Sequence, residues 1–378
     1  MSAPARGTGT AAAISGLAAG LEALGCRVTV VRPESSRGGG HSRLPGRLRF
    51  NLGLRRFDPS PYDAVVGFDF DGVFLPRPGP GTARRHASGD GAAGPHPTGL
   101  RLAGGVPYAV SLKGVAADEL GFERGLPRLT FRLLAALEGR NVRRASRVLV
   151  TSEYCRRVAV AAYGLDPARV VVVPEGIDLA LWPARLDVAG GAERSREAGR
   201  PPVVLSVARQ YRRKDTRTLL EAFARLRESH PEARLRIVGG GPELPRLRAR
   251  ARELGLGERA TLLGEVPDGG AVRREYLAAD LFCLPSLQEG FGIAFLEAMA
   301  AGLPIVAARA AAVPEVAPDG EVGLLVPPRD AEALAEALAR LLDDADLRRR
   351  FGQAGRRRVE RYDWRTVAGE FLRALDLA

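Results

Sequence analysis

Glu289 and Glu297 lie eight positions apart, with Gly290, Phe291, Gly292 and Ile293 between them, just after the apolar run Leu281–Leu284 and Pro285. That run reads as a short buried strand ending at the proline, so both carboxylates follow a strand end. Gly290 and Gly292 let backbone N–H groups approach a ligand closely. A helix is expected from near Gly292 to about Ala301, with Gly302 after its C-terminus and Pro304 just beyond. A helix start behind glycines is an anion site, because free N–H groups and the helix dipole both favour phosphate. Glu297, inside that helix, cannot serve phosphate itself. A carboxylate suits a sugar diol, which offers two O–H donors. Phosphate and polyol side by side point to a nucleotide. An Ala-rich packing helix would account for Ala298, Ala300 and Ala301, but not for a carboxylate and two close glycines behind a buried strand.

The same design recurs upstream. The strand Pro202–Ala208 runs into Arg209-Gln-Tyr-Arg-Arg-Lys-Asp215, and a helix is expected from Thr216 to Glu228. Loops of this kind, after a strand and before a helix, are where α/β sheets bind ligands. A solvated basic loop is the plainer alternative. Arg234–Val238 is another strand, followed by Gly239, Gly240 and Gly241, where a backbone can crowd a nucleotide. Ala260–Pro267 is a further strand, and its end at Val266 is expected to border the base.

The elements that must position these residues form an α/β protein. A chain of 378 residues is too long for one core and suits two domains. Tyr62–Phe68, Pro107–Leu112, Ser146–Ser152 and Arg169–Pro174 read as strands of a first half, alternating with helical stretches as in a parallel sheet. Thr151 or Ser152 is expected to cap the next helix. Residues 7–34 read as a glycine loop around Gly7 and Gly9, an Ala/Leu helix, and a strand Arg27–Val31. Residues 35–60 and 76–104 read as long Gly/Arg/Pro-rich connections. Asp69 and Asp71 follow the Tyr62–Phe68 strand, and two carboxylates on one turn are more often solvated than metal-bound. Cys26, Cys155 and Cys283 have no metal-ligand spacing and read as reduced thiols. No apolar run is long enough for a transmembrane helix, and the start does not read as a signal peptide.

Residues 285–307 resemble the donor-site signature of the retaining, GT-B-fold glycosyltransferases of family 4, with the paired glutamates of its E-x7-E motif at Glu289 and Glu297. The resemblance is specific over 145–378 and loose over 1–144. It implies two Rossmann-like domains facing across a cleft. The first spans 1–180, with a C-terminal helix 363–378 crossing back to it and Trp364 as its anchor. Residues 181–201 are the linker, and 202–362 form the nucleotide-sugar domain. It further implies that Arg209 and Lys214 hold the donor diphosphate, with Gly240, Gly241, Val266, Gly290, Phe291, Gly292, Ile293 and Glu297 around the donor and Glu289 at the reacting sugar. Gly7 and Gly9 then form the acceptor-side loop. The leaving phosphate acts as base in such a same-face transfer, so neither a protein nucleophile nor a metal is required. A UDP- or GDP-linked sugar is the expected co-substrate.

Two departures from the family pattern stand out. No apolar strand stands before the first glycine loop, since Met1–Arg6 is short and polar; either the true start lies farther upstream or the strand is lost. Where many members carry a histidine after the strand matching Pro107–Leu112, this chain has Lys113, and none of its four histidines sits there. Lys113 either serves the same oxygens or is a solvated loop cation. The net charge of +12 is uneven: residues 1–180 hold 24 basic against 15 acidic side chains. Arg27–Arg56 is densest, with eight arginines against Glu34 alone. An anionic membrane surface or a lipid-linked acceptor fits this excess, and so does biased arginine usage; nucleic acid is not expected. The chain is therefore expected to be a cytoplasmic enzyme, peripheral at the inner face of a membrane. It would move a hexose-type sugar to a lipid, polysaccharide or small metabolite. Another GT-B activity, such as an epimerase or phosphorylase, or a non-catalytic nucleotide-binding module, are the alternatives.

Overall fold

The computed structural model describes residues 9–32, 44–76, 102, 105–182 and 200–378. Their ten strands form two sheets, parallel throughout. The first has the order β1 (Val65–Phe68), β2 (Tyr108–Ser111), β3 (Arg147–Val150), β4 (Val170–Val172). The second contains β5 (Val203–Val207), β6 (Arg234–Val238), β7 (Ala260–Gly264), β8 (Leu281–Leu284), β9 (Ile305–Ala308) and β10 (Gly323–Val326), in the order β10-β9-β8-β5-β6-β7. The chain thus moves one way from β5 and the other way from β8. The carboxyl ends of this adjacent pair mark the point where a doubly wound sheet binds ligands.

Helices α1 (Gly9–Ala23), α2 (Leu44–Gly53), α3 (Ala116–Glu119), α4 (Gly125–Arg144) and α5 (Glu153–Tyr163) precede the second sheet. With that sheet come α6 (Thr216–Arg225), α7 (Leu244–Glu253), α8 (Gly269–Ala278), α9 (Ile293–Ala300), α10 (Val313–Val316), α11 (Ala331–Asp343), α12 (Ala345–Val359) and α13 (Trp364–Ala374). The chain divides into two compact units. One holds the described part of residues 1–20 with 175–367, and the other holds 21–174 with 368–378.

Strands β8 and β9 are buried at every residue, as their unbroken apolar sequences require of central parallel strands. The Phe282 ring of β8 stacks on Tyr276 at 5.6 Å and meets Phe295 edge-on at 5.9 Å. Each such burial contributes about 1.5–3 kcal/mol. In α11, Leu334, Leu338 and Leu341 recur at helical spacing and are buried, and the Asp330 carboxylate caps the start by accepting from the Glu332 and Ala333 amides. Ser152 is the cap of α5, accepting from the Cys155 amide.

The first half departs from its sequence reading in three places. Arg27–Val31 is not a strand: it makes no ladder, and Val30 and Val31 are exposed. β propensity alone cannot hold a strand, and no described strand lies beside this one. Residues 35–60 are not all connection, because 44–53 form α2. That helix is fixed by distant partners rather than by its own pattern: Asn51 donates to Asp71 at 2.7 Å and accepts from the Gly72 amide at 2.8 Å. Gly9 opens α1 rather than lying in a loop, and α1 buries Ala13 and Leu17. A Cβ on Gly16 of α1, or on Gly176, would run into the Trp364 indole, so the described part of residues 1–20 groups with the second sheet. Gly7, residues 77–101 and 183–199 of the expected linker lie outside the described residues.

Candidate active site

The loop after β8 is folded around the Glu289 carboxylate. Its Oε1 accepts from the Lys214 ammonium at 2.6 Å and from the buried Ser286 hydroxyl at 2.8 Å. Lys214 comes from the loop after β5, 75 positions earlier in the chain. The Leu287 amide donates to the Arg213 carbonyl at 2.7 Å and ties the two loops together. Burial works against a charged Glu289, but the Lys214 ammonium, aided by Arg213 and Ser286, holds its carboxyl below the usual range. Glu289 is therefore ionised across the neutral range.

The loop after β5 is itself well built. Buried Gln210 donates from its side chain to the Ala208 carbonyl at 2.7 Å and accepts from the Thr216 hydroxyl at 2.7 Å. Its amide donates to Gly240 across to the loop after β6. Asp215 takes a left-handed conformation, φ 48°, at the start of α6. Arg209 and Arg213 both face the Tyr211 ring, with guanidinium carbons 5.6 and 5.1 Å from its centroid. Arg209 is exposed and pairs with no carboxylate among the described residues.

Gly292, φ 96°, precedes α9, whose first residue is Ile293. At the other end, Gly302 donates to Met299 and Leu303 to Ala298, both at 2.9 Å, closing the helix with a left-handed glycine at φ 70° as the sequence predicts. Glu297 projects from α9 to accept from the Tyr276 hydroxyl at 2.8 Å. Burial raises its pKa, partly offset by Tyr276 and Arg273.

The sequence-predicted residues divide accordingly. Glu289, Lys214, Arg209, Gly290, Gly292, Ile293 and Glu297 gather at the carboxyl ends of β5 and β8. Lys214 is not a free cation there; its charge is already met by Glu289. Phe291 is buried, with its ring edge-on to Tyr362 at 5.5 Å, so it is a packing residue. Gly241 is needed because a Cβ would lie 2.6 Å from the Gln210 carbonyl oxygen, while a Cβ on Gly240 would meet the Glu265 Cβ at 3.2 Å. Val266 follows β7 and packs partly on the core. Ser286, Arg213 and Tyr276 were missed. Ser286 lies three residues before Glu289 and could have been read locally; Tyr276 lies 21 positions from Glu297 and could not.

Lys113 belongs to the other unit, in the loop after β2. Its amide donates to Asp69 at 3.0 Å, and its ammonium lies 5.6 Å from the Phe68 ring centroid. Farther along, the Ala116 amide and the Tyr163 hydroxyl both donate to Oε1 of buried Glu138, at 2.9 and 2.6 Å. Burial, with Asp69 nearby, pushes Glu138 up to about 8. Asp69, φ 56°, is raised by the same burial against the pull of Arg47. Asp71 is taken up by Arg47 at 2.6 Å and by Asn51.

Two parallel sheets carrying ligand-type residues at the carboxyl edge of the second define the GT-B fold. Sucrose-phosphate synthase from Thermosynechococcus elongatus shares it with a TM-score of 0.74 at 22% identity, over 98% of this chain and 94% of that one. Residues 7–181 match the family described as Glycosyltransferase Family 4, and 192–358 the one described as Glycosyl transferases group 1. The chain is 31% identical over 284 residues to a GDP-mannose-dependent alpha-(1-6)-phosphatidylinositol monomannoside mannosyltransferase of Mycolicibacterium smegmatis, covering 73% of this chain and 72% of the relative. It is 37% identical over 230 residues to a phosphatidyl-myo-inositol mannosyltransferase of Mycobacterium leprae, covering 60% of this chain and 58% of the relative's length. The chain belongs to glycosyltransferase family 4. Among the described residues, no helix is long and apolar enough to cross a membrane.

Proposed function

We propose that the protein is a retaining glycosyltransferase that takes a hexose-type sugar from a UDP- or GDP-linked donor and passes it to a lipid-linked acceptor at an anionic membrane surface. The Lys214–Glu289 pair, set beside the start of α9 at the carboxyl ends of β5 and β8, carries this reading. A donor offers that pair both of the groups it can use, phosphate oxygens for the ammonium and sugar hydroxyls for the carboxylate. Arg209, exposed and without a carboxylate, adds a second cation for the diphosphate. As the glycosidic bond breaks, the leaving diphosphate gains charge and the sugar carbon becomes cationic. Fixed cations on one side and an ionised Glu289 on the other lower that barrier. Glu297 holds the donor ribose from α9, and Lys113 is assigned to the oxygens of the reacting sugar. The two mannosyltransferase relatives above are named for phosphatidylinositol-type acceptors, which supports the lipid-linked choice; other relatives are named for D-inositol 3-phosphate, a second acceptor class of the same inositol chemistry.

Thermal unfolding with UDP or GDP, without added divalent metal, tests this reading. At about 100 times the dissociation constant, a ligand adds about 2.7 kcal/mol, a shift of several degrees. Arg209→Ala, at an exposed position, is expected to weaken the shift without lowering the unliganded midpoint. No shift with either nucleotide, or an undiminished one in Arg209→Ala, overturns the diphosphate assignment. Anomeric configuration of the product sugar, read by NMR, tests retention.

A further inference from the structure

The two glutamates of the candidate site are each held by one oxygen. Glu289 takes both of its side-chain hydrogen bonds, from Lys214 and Ser286, on Oε1. Glu297 takes its hydrogen bond, from the Tyr276 hydroxyl, on Oε2. Among the described residues no hydrogen bond reaches the second oxygen of either carboxylate. Desolvated carboxylate oxygens cost free energy unless a donor meets them, so each glutamate keeps one oxygen for water or a ligand.

What holds Glu297 is unusually rigid. Tyr276 lies in the last turn of α8 and is fully buried. Phe282 stacks on its ring at 5.6 Å and 26°, and Trp182 meets it edge-on at 5.6 Å and 77°. Aromatic neighbours at these distances fix the ring, so the core sets where its oxygen lies. The hydroxyl also has the Ala294 carbonyl at 3.4 Å, which would by itself satisfy a buried tyrosine. The carboxylate at 2.8 Å is closer and charged, and it takes the hydrogen. Arg273, one turn earlier on α8, lies 5.7 Å from the Trp182 ring centroid and draws Glu297 toward its ionised form. A long carboxylate side chain loses rotamer freedom when it is ordered. Here that loss is met on folding and not on binding, which favours the ligand.

We propose that Tyr276 is a positioning residue for the nucleotide: it holds Oε2 of Glu297 from the core side and leaves Oε1 to accept from the ribose hydroxyls. The inference rests on the donor reading above and adds to it a residue that acts through Glu297. Its contribution is tied to those hydroxyls. A nucleotide without them gives Oε1 nothing to accept, and Tyr276 then makes no difference to binding.

Titration calorimetry of the whole chain tests this, with UDP, GDP and their 2′,3′-dideoxy forms and no added divalent metal. Wild type is expected to bind UDP or GDP about tenfold or more tightly than the matching dideoxy form. Tyr276→Phe keeps the ring and its packing. It should bind the ribonucleotide about tenfold more weakly and the dideoxy form as wild type does. The ratio of the two constants is read within one protein, so a variant folded only in part still reports it. Glu297→Ala should lose the same ratio, and adding Tyr276→Phe to it should lower the ratio no further. If Tyr276→Phe keeps the wild-type ratio, with binding intact or weakened alike for both forms, Tyr276 is a core residue and the proposal falls. It falls too if wild type does not distinguish the two forms, since Glu297 then does not hold the ribose. Wild type that binds neither UDP nor GDP sinks the donor reading itself. An unchanged ratio beside tight wild-type binding sinks Tyr276 alone.

Discussion

At the end of β8, Glu289 lies 2.6 Å from an ammonium; under the loop after β2, Glu138 is equally buried but has, among the described residues, the Tyr163 hydroxyl and the Ala116 amide as its hydrogen-bond partners. Both lose the same hydration. In the first case a cation within hydrogen-bond reach overcomes that loss, and the carboxyl is held below its usual range. In the second the charge that acts most strongly on it is another carboxylate, Asp69, and the acid is pushed up to about 8. Burial alone therefore does not decide the charge of a carboxyl group. The neighbour does, and here it makes one glutamate a permanent anion and the other a proton holder.

Breaking the first pair should give the largest effect. Lys214→Met leaves Glu289 buried without its cation and is expected to cost about 3–5 kcal/mol of folding stability. Adding Glu289→Gln to Lys214→Met removes the stranded charge and should restore most of it. Denaturant unfolding of the three proteins measures this; equal loss in the single and double variants would mean that the lysine matters for packing instead. Next comes the rate. Glu289→Ala is expected to lower kcat by about 10²-fold, the scale of one preorganised electrostatic contact, and Glu289→Gln to recover little of it. A Gln variant near wild-type kcat would show that shape, not charge, is what Glu289 supplies.

Per pH unit, the smallest effect belongs to Glu138. Its folded pKa of about 8 lies above the ordinary 4.5, so the folded protein keeps a proton that the unfolded chain has lost. The stability it contributes is full below about 4.5 and is lost as pH rises to about 8, with a slope of at most about 1.4 kcal/mol per pH unit. Glu138→Gln keeps the acceptor oxygen and should flatten that slope, leaving the part due to Asp69. Unfolding midpoints across this window, wild type against variant, settle it. Parallel curves would place the titration elsewhere.

What the sequence makes legible follows from how local each feature is. The six strands of the second sheet are short, largely apolar runs, four of which (β6, β7, β8 and β10) end at a Gly or Pro, and α9 with its glycine stop is written in consecutive residues. Glu289, Lys214 and Arg209 can be named as site residues from type and strand-end position. That Lys214 is already paired cannot, because its partner is 75 residues away. The same holds for the amide of Lys113 on Asp69, 44 residues away, and for Tyr276 on Glu297. In the first half the errors run in both directions. Arg27–Val31 has the composition of a strand without a neighbour to pair with, and α2 has the composition of a loop but is held by Asp71 and Gly72.

The Lys214–Glu289 contact also bears on which solutes the site ignores. An unpaired ammonium would collect chloride, sulfate or free phosphate from any buffer. Here each ion already has its counterion inside the protein, so a simple anion that enters must compete with the glutamate for the lysine's charge. Only a molecule that replaces both halves at once, with oxygens for the lysine and hydroxyl hydrogens for the glutamate, avoids that penalty. The ion pair thus works as a filter against free anions: a nucleoside diphosphate must add the Arg209 and ribose contacts to get past it, and a nucleotide sugar satisfies both halves.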